Sequence, residues 1–189
     1  MLAGFAPAAL RLEGVAPFGA PVFILAAERG QGTLLLPRDR RVVSSAPPEE
    51  ILEALVGVKL APDDLLAVLT GCVSAGARPL SGRLYGADWL AVDLEGGAIA
   101  YLHRRNGEWP VAAAVLGGLQ IEYGHPLGGL PQQVRIRTSD PRQSPRVDLQ
   151  VRIQSFEINP EIDRAAFSVV VPPGTAPMTL QELSESDHR

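Results

Sequence analysis

The stretch Leu10–Leu36, LRLEGVAPFGAPVFILAAERGQGTLLL, most limits what this chain can become. Its apolar runs are short and are cut by Pro17-Phe18-Gly19 and Gly30-Gln31-Gly32. A buried helix needs a longer uninterrupted pattern, about 10–12 residues, so strands fit better. Within residues 8–14, Leu10 and Leu12 fall on one face and Arg11 and Glu13 on the other, the period of a half-buried strand. Residues 21–27, PVFILAA, are apolar on both faces, which suits a strand with a layer on each side. The stretch reads as two strands joined by a tight turn, with a third strand following. Pro17 and Gly19 serve turn geometry. Phe18 does not. A hairpin tip faces water, so Phe18 either folds back under a neighbouring loop or is held out to touch something apolar.

The same punctuation continues, since the chain carries 19 glycines and 17 prolines. Val42 and Val43 make a short fourth strand. Pro47-Pro48-Glu49-Glu50 then opens a helix, because Pro suits the first turn and carboxylates suit the positive helix end. Ile51, Leu52, Leu55 and Val56 form its apolar stripe and Gly57 ends it. Ala61-Pro62-Asp63-Asp64 opens a second helix, with Leu65, Leu66, Val68 and Leu69 as the stripe and Gly71 as the stop. Both are too short to persist alone and need a sheet to lie on. Strands return at 83–85, 89–94, 99–104, 109–116 and 119–123, with a loop expected over 124–133. Val134, Ile136 and Thr138 alternate with Arg135 and Arg137. A further loop spans Pro141–Pro145. Val147, Leu149, Val151 and Ile153 then point inward between Asp148, Gln150, Arg152 and Gln154. The apolar parity flips at Phe156 and Ile158, which predicts a β-bulge near Ser155. Phe167, Val169 and Val171 read as a last strand.

The pattern predicts a mainly β chain with α (α+β). A curved antiparallel sheet forms an incomplete β-barrel, and two short helices, about 47–57 and 62–71, pack in its concave face as a lid or plug. One domain over 1–178 is expected, followed by a polar C-terminal tail, 179–189, that frays.

Composition excludes more than it identifies. The net charge of -4 offers no clustered basic surface for nucleic acid. One cysteine, Cys72, allows neither an intrachain disulfide nor a cysteine-based zinc cluster. It follows a helix end rather than a helix start, so it reads as a small buried hydrophobe and not as a reactive thiol. His103, His125 and His188 lack metal-ligand spacing. CVSAG (72–76) misses the nucleophile-elbow pattern, with Cys for the first Gly and a helix where a strand belongs, so Ser74 is not expected to be catalytic. No metal, no cofactor and no enzymatic constellation is expected.

What remains is apolar surface. A curved sheet with two helices in its concavity can enclose a space lined by Leu and Val, suited to acyl chains. Each buried methylene is worth about 0.8 kcal/mol. The residues that would line it are Leu10, Leu12, Phe23, Leu25, Leu52, Leu55, Leu65, Leu69, Trp89, Leu149 and Val151. The same side chains could instead fill an ordinary core, the reading that composition alone favours.

Several motifs, in order, resemble the bacterial outer-membrane lipoprotein-localisation family (LolA/LolB-like). A strand leads into Pro-apolar-Gly and a second strand over Leu10–Ala27. LLLPRDRRVV precedes a helix. GVKLAPDDLLAVLTGC (57–72) is similar to the receptor's helix–Gly–Leu/Ile-Pro–helix–Leu-x-Gly signature. FEIN (156–159) and FSVVVPPG (167–174) are similar to the family's closing segment. The likeness is nearer the LolB receptor type than the carrier. It implies an unclosed barrel, a helical lid and a hydrophobic cavity that takes the acyl chains of lipoproteins. It also implies reception or insertion of that cargo at the inner leaflet of the outer membrane, from the periplasmic side. Phe18 falls where the receptor carries an exposed apolar residue on a protruding loop, which makes it the expected membrane-contacting delivery tip. The sequence departs from the family in lacking a signal peptide and a lipidated Cys. It also starts at about the family's third strand, which would leave the edge at 8–14 unpaired and open to an edge-strand dimer. The alternative is a structural or interaction lipoprotein on the same scaffold, with a filled core and no cargo.

Overall fold

A computed structural model describes residues 1–15, 21–138 and 147–186. In chain order the elements are β1 (Leu2–Ala6), β2 (Ala9–Gly14), β3 (Phe23–Glu28), β4 (Gln31–Leu36), β5 (Arg41–Ala46), α1 (Pro48–Val56), α2 (Pro62–Thr70), β6 (Pro79–Tyr85), β7 (Trp89–Leu94), β8 (Ile99–His103), β9 (Val111–Leu116), β10 (Leu119–Leu127), β11 (Leu130–Thr138), β12 (Asp148–Arg152), β13 (Ala176–Pro177) and α3 (Leu180–Ser186). The chain is mainly β with a few short helices. The strands form two sheets, in the orders β1-β2-β3-β4-β5-β13 and β12-β11-β10-β9-β8-β7-β6. Every pairing is antiparallel except the short β5–β13 contact, and neither sheet closes on itself among the described residues. The chain divides into two compact units, 1–62 with 158–189, and 63–157. A single curved sheet was expected. The strands separate because no strand crosses the helical stretch between β5 and β6, and α1 and α2 belong to different units.

In the first unit the apolar run of β3 dictates the layering. Leu25, Ala26 and Ala27 are consecutive and all buried, so both faces of the strand are covered. On one face lie Leu10, Leu12, Leu25, Ala27 and Leu34, brought into line by the β2–β3 and β3–β4 registers. Helix α1 covers this side, with Ile51 set against Gly32 of β4. On the other face lie Gly4, Arg11, Ala26 and Glu28, and here the returning chain lies across the sheet. Arg11 Nη1 donates to Ala166 O at 2.7 Å and Ser168 O at 3.2 Å. Arg164 pairs with Glu28 at 3.2 Å. The unit is built from both ends of the chain.

Five expectations change. Strand β2 is not an edge, because β1 pairs with it from Leu2↔Glu13 to Ala6↔Ala9. The signal was weak because LAGFA has small residues and little alternation. Second, β3 starts at Phe23 rather than at Pro21, with Val22 N–H donating to Gly14 O at 2.7 Å and the Phe23 ring packed over Gly14, while the tight turn expected at Pro17-Phe18-Gly19 lies outside the described residues. Third, the 124–133 stretch is not a loop but the end of a long hairpin. Leu127 pairs with Leu130 across Gly128 and Gly129, both at positive φ (60° and 84°), the backbone of a two-glycine hairpin turn. Fourth, the bulge near Ser155 and the strand around Phe167–Val171 are absent. β12 stops at Arg152, and Phe156 and Ile158 are exposed at 45% and 73%. The parity flips there because the chain leaves one unit for the other. Phe167 is buried at the end of a 3-10 turn, Arg164–Phe167, while Val170 lies in solvent.

The fifth change concerns the polar tail, which holds helix α3. Thr179 and Glu182 form a capping box: the Thr179 N–H donates to Glu182 Oε2 at 2.8 Å, and the Glu182 N–H donates to Thr179 Oγ1 at 3.2 Å. Those bonds, with Arg41 adding to them, hold the Glu182 carboxyl below its usual range. The apolar anchor is Leu183, buried beside polar neighbours.

Gly32 tests the layering. A Cβ there would stand 2.8 Å from Ile51 Cδ1 and 3.2 Å from the Ala46 carbonyl, which belongs to the backbone and cannot swing away. Gly32→Ala is expected to cost about 1–3 kcal/mol, read as a lower urea midpoint at unchanged m-value. An unchanged midpoint would mean that α1 does not press on β4.

Candidate functional site

The second unit carries the surface with the most functional character, and strand register shows how it arises. One row crosses the whole sheet: Gly82–Val92–Ala100–Ala114–Ile121–Ile136–Leu149. The neighbouring rows on this face carry Leu84–Leu90–Leu102 on one side of the sheet and Tyr123–Val134–Val151 on the other. The face is therefore apolar from edge to edge. Its centre is sealed, since Ala100, Ala114, Ile121, Val134 and Ile136 are buried. Its margins are open: Leu84 is 67% exposed, and Leu90, Leu102, Leu149 and Val151 are half-buried. The opposite face is polar over β10–β12. There Arg135 and Asp148 make a bidentate pair at 2.8 and 2.7 Å, and Arg137 pairs with Glu122.

The expected lining residues split between the units. Leu10, Leu12, Leu25 and Phe23 share one face of the first sheet, with Leu52 and Leu55 on α1. Leu10 and Leu25 are fully buried and Leu12 and Leu52 nearly so, while Phe23 and Leu55 are half-buried. These side chains pack as a core. In the second unit Leu65 is buried in α2, and Leu69, Leu149 and Val151 are half-buried. Trp89 lies on the opposite sheet face from Leu90 and Leu149 and is exposed. It does not join the other apolar side chains. Phe18 lies outside the described residues.

A pocket of about 110 Å³ opens in the second unit, lined by Thr70 and Gly71 at the end of α2 and by His103, Val111, Tyr123 and Pro131 from the sheet. A β-bulge shapes it, because Val111 and Ala112 interrupt the β8–β9 register at Leu102. None of the expected lining residues contributes to it. It is several times smaller than the roughly 300–1,000 Å³ of ordinary ligand pockets, so it cannot house an acyl chain. The Tyr123 hydroxyl is buried without a hydrogen-bond partner. Burial, and to a lesser degree Cys72, pushes its pKa above the usual phenol range.

The residues weighed for chemistry have structural neighbours. Ser74 Oγ donates to Asp64 Oδ1 at 2.9 Å, and the Ala75 N–H donates to the same oxygen. Cys72 is exposed rather than buried, because the turn that ends α2, with Gly71 at φ 81° and Cys72 N–H on Ala67 O, turns it outward. His103 stacks on Trp89 with ring centroids 4.4 Å apart. Among the described residues no group of three or more His, Cys, Asp or Glu could hold a metal, and no helix is long and apolar enough to cross a membrane. No known protein family, curated protein or solved structure matches this chain.

Sequence reasoning missed the exposed aromatic side chains over β6–β8 and the Tyr123 pocket. Both depend on cross-strand register, and only the alternation within each strand hinted at which residues share a face.

Tyr123→Phe removes an unpaired buried hydroxyl, so it is expected to leave stability unchanged or raise it by about 1 kcal/mol. The pH dependence follows from the raised pKa. The wild type keeps its full stability below about pH 10, the unfolded tyrosine value, and loses it above, as the unfolded chain alone ionises. The variant should lose that part of the alkaline decline in urea titrations. A marked destabilisation at neutral pH would show that the hydroxyl has a partner.

Proposed function

We propose that this protein binds acyl chains without catalysis and passes them to a membrane, in the manner of the lipoprotein-localisation family. One observation carries this reading. The apolar face of the seven-stranded sheet is sealed at its centre and open at its margins, at Leu84, Leu90 and Leu102 on one side and Leu149 and Val151 on the other. Leaving such side chains in water is costly, and covering them with methylenes recovers about 25 cal/mol for each Å². In this reading α2 is the movable lid of the face. Leu65 and Val68 are its buried stripe, and exposed Leu66 is free to meet cargo. The unclosed sheet serves as the open barrel. The cargo is an acylated lipoprotein, and the site of action is the periplasmic side of the outer membrane. Phe18 is the tip that enters the inner leaflet, where an aromatic ring suits the interface. Among the described residues β1 ends the first sheet, and its outer edge offers a place for a second copy to pair.

The second reading, a structural lipoprotein without cargo, is favoured by the first unit, whose expected lining residues Leu10, Leu25 and Leu52 are packed as a core. A palmitoylated peptide separates the two. Binding should weaken about tenfold or more in Leu84→Glu, as an exposed methylene surface gives way to a charge. Phe18→Glu should bind the peptide normally and fail to transfer it to liposomes. Equal binding by Leu84→Glu removes the assigned face, and undiminished transfer by Phe18→Glu removes the assigned tip. No binding by the wild type leaves the structural reading.

A further inference from the structure

The polar face of the second unit changes character over β6–β8, and the register shows how. Tyr85 pairs with Trp89, and Trp89 with His103, so three rings stand side by side on adjacent strands. Trp89 and His103 are stacked at 4.4 Å and 29°. Tyr85 is 56% exposed and Trp89 43%, which is unusual for side chains this large unless they serve a contact. The next row on this face is Arg83–Ala91–Tyr101, and the one beyond begins Ser81–Asp93. Ala91, between Trp89 and Asp93, is buried by its neighbours. Arg83 Nη2 meets Asp93 Oδ1 at 3.2 Å, and Ser81 Oγ donates to Asp93 Oδ2. Arg105 Nε donates to His103 Nδ1 at 3.3 Å.

We infer that this face is a saccharide-binding site: Trp89 and Tyr85 take the C–H faces of sugar rings, and Arg83, Asp93, Ser81 and His103 meet their hydroxyls. Three features select this ligand. The aromatic faces are negative and attract the polarised C–H bonds that a pyranose presents on one side. Same-face positions along β7 are about 6.6 Å apart, so the step from Trp89 past Ala91 to Asp93 spans about two sugar rings. The charges beside the rings are balanced in number. Arg83 is paired with Asp93, and backbone bonds bring Arg104 beside Asp88 and Arg105 beside Glu108. A nucleic acid would want uncompensated cations. A membrane would force the Arg83–Asp93 pair and Ser81 towards hydrocarbon. A neutral glycan fits both the rings and the rim. The site is on the opposite sheet face from Leu84 and Leu90, so it stands apart from the acyl-binding reading.

Chitotetraose and cellotetraose, titrated in turn against the full chain by calorimetry and by amide chemical shifts, test the site. At least one should bind at millimolar concentration, with shifts centred on residues 81–93 and 103. Trp89→Ala and Tyr85→Ala should each weaken that binding about tenfold or more, the loss of a stacked ring, while Trp89→Phe keeps it to within about threefold. Binding of a palmitoylated peptide should be the same in all three variants, which also shows them to be folded. The inference is overturned if neither saccharide binds the wild type, or if one binds equally well to Trp89→Ala and Tyr85→Ala. It is also overturned if vesicles of phosphatidylcholine and phosphatidylglycerol bind through Trp89 and the saccharides do not.

Discussion

Strand β3 sets the terms for the first unit. Leu25, Ala26 and Ala27 are buried in succession, so side chains pointing both ways leave water. A strand of that kind needs a layer on each side. Helix α1 supplies one through Ile51 over Gly32. The returning segment supplies the other, tied by Arg11 to the carbonyls of Ala166 and Ser168 and by Arg164 to Glu28. The first cover follows the strands closely in sequence, whereas the second arrives only after the whole second unit has been made. The hairpins of β1–β5 are local, but completion of the first unit waits on contacts of long sequence separation, the kind that close late and slowly.

The second unit solves a different problem. Its sheet is antiparallel and contiguous, each strand next to its neighbour in sequence, so local hairpins suffice to order it. A period of two along the strands, interrupted by the bulge at Leu102, then sorts the side chains into an apolar face and a reverse face that is polar over β10–β12. Small residues at Ala100 and Ala114 lie in the middle of the apolar row, and the rows beside it carry Leu84 and Leu90 at one edge and Val151 at the other. That distribution seals the centre and leaves the margins half open. Functional potential lies in those margins and in the aromatic row on the reverse face, because there large side chains stay in contact with water after the fold is complete.

Much of this was legible in the residues. Strand alternation at 147–152, the punctuation of Gly86, Gly96 and Gly117, and the Pro-plus-acid openings of α1 and α2 are local signals, and local physics decides them. The double burial of β3 was also legible as a run apolar on both faces. What failed was non-local or disguised. Gly124, Pro126 and Pro131 looked like loop residues, yet strands on either side of Gly128-Gly129 carry them as a hairpin. The Thr179–Glu182 capping box was present in the sequence and outweighed by the polar composition around it. The loss of parity at Phe156 looked like a bulge because one chain cannot announce that it is leaving one unit for another. Of the expected lining, Leu149 and Val151 lie on an open margin, Leu10 and Leu25 form a core, and Trp89 is on the other face.

The two units thus divide the apolar mass of the chain into a part packed as a core and a part left open at the margins of the seven-stranded sheet. Amide hydrogen exchange with and without a palmitoylated peptide reads that division directly. The account predicts added protection over β6–β8, β12 and α2, with β3 unchanged because its surroundings are already filled. Protection that falls on β2, β3 and α1, or that changes nowhere, would contradict it.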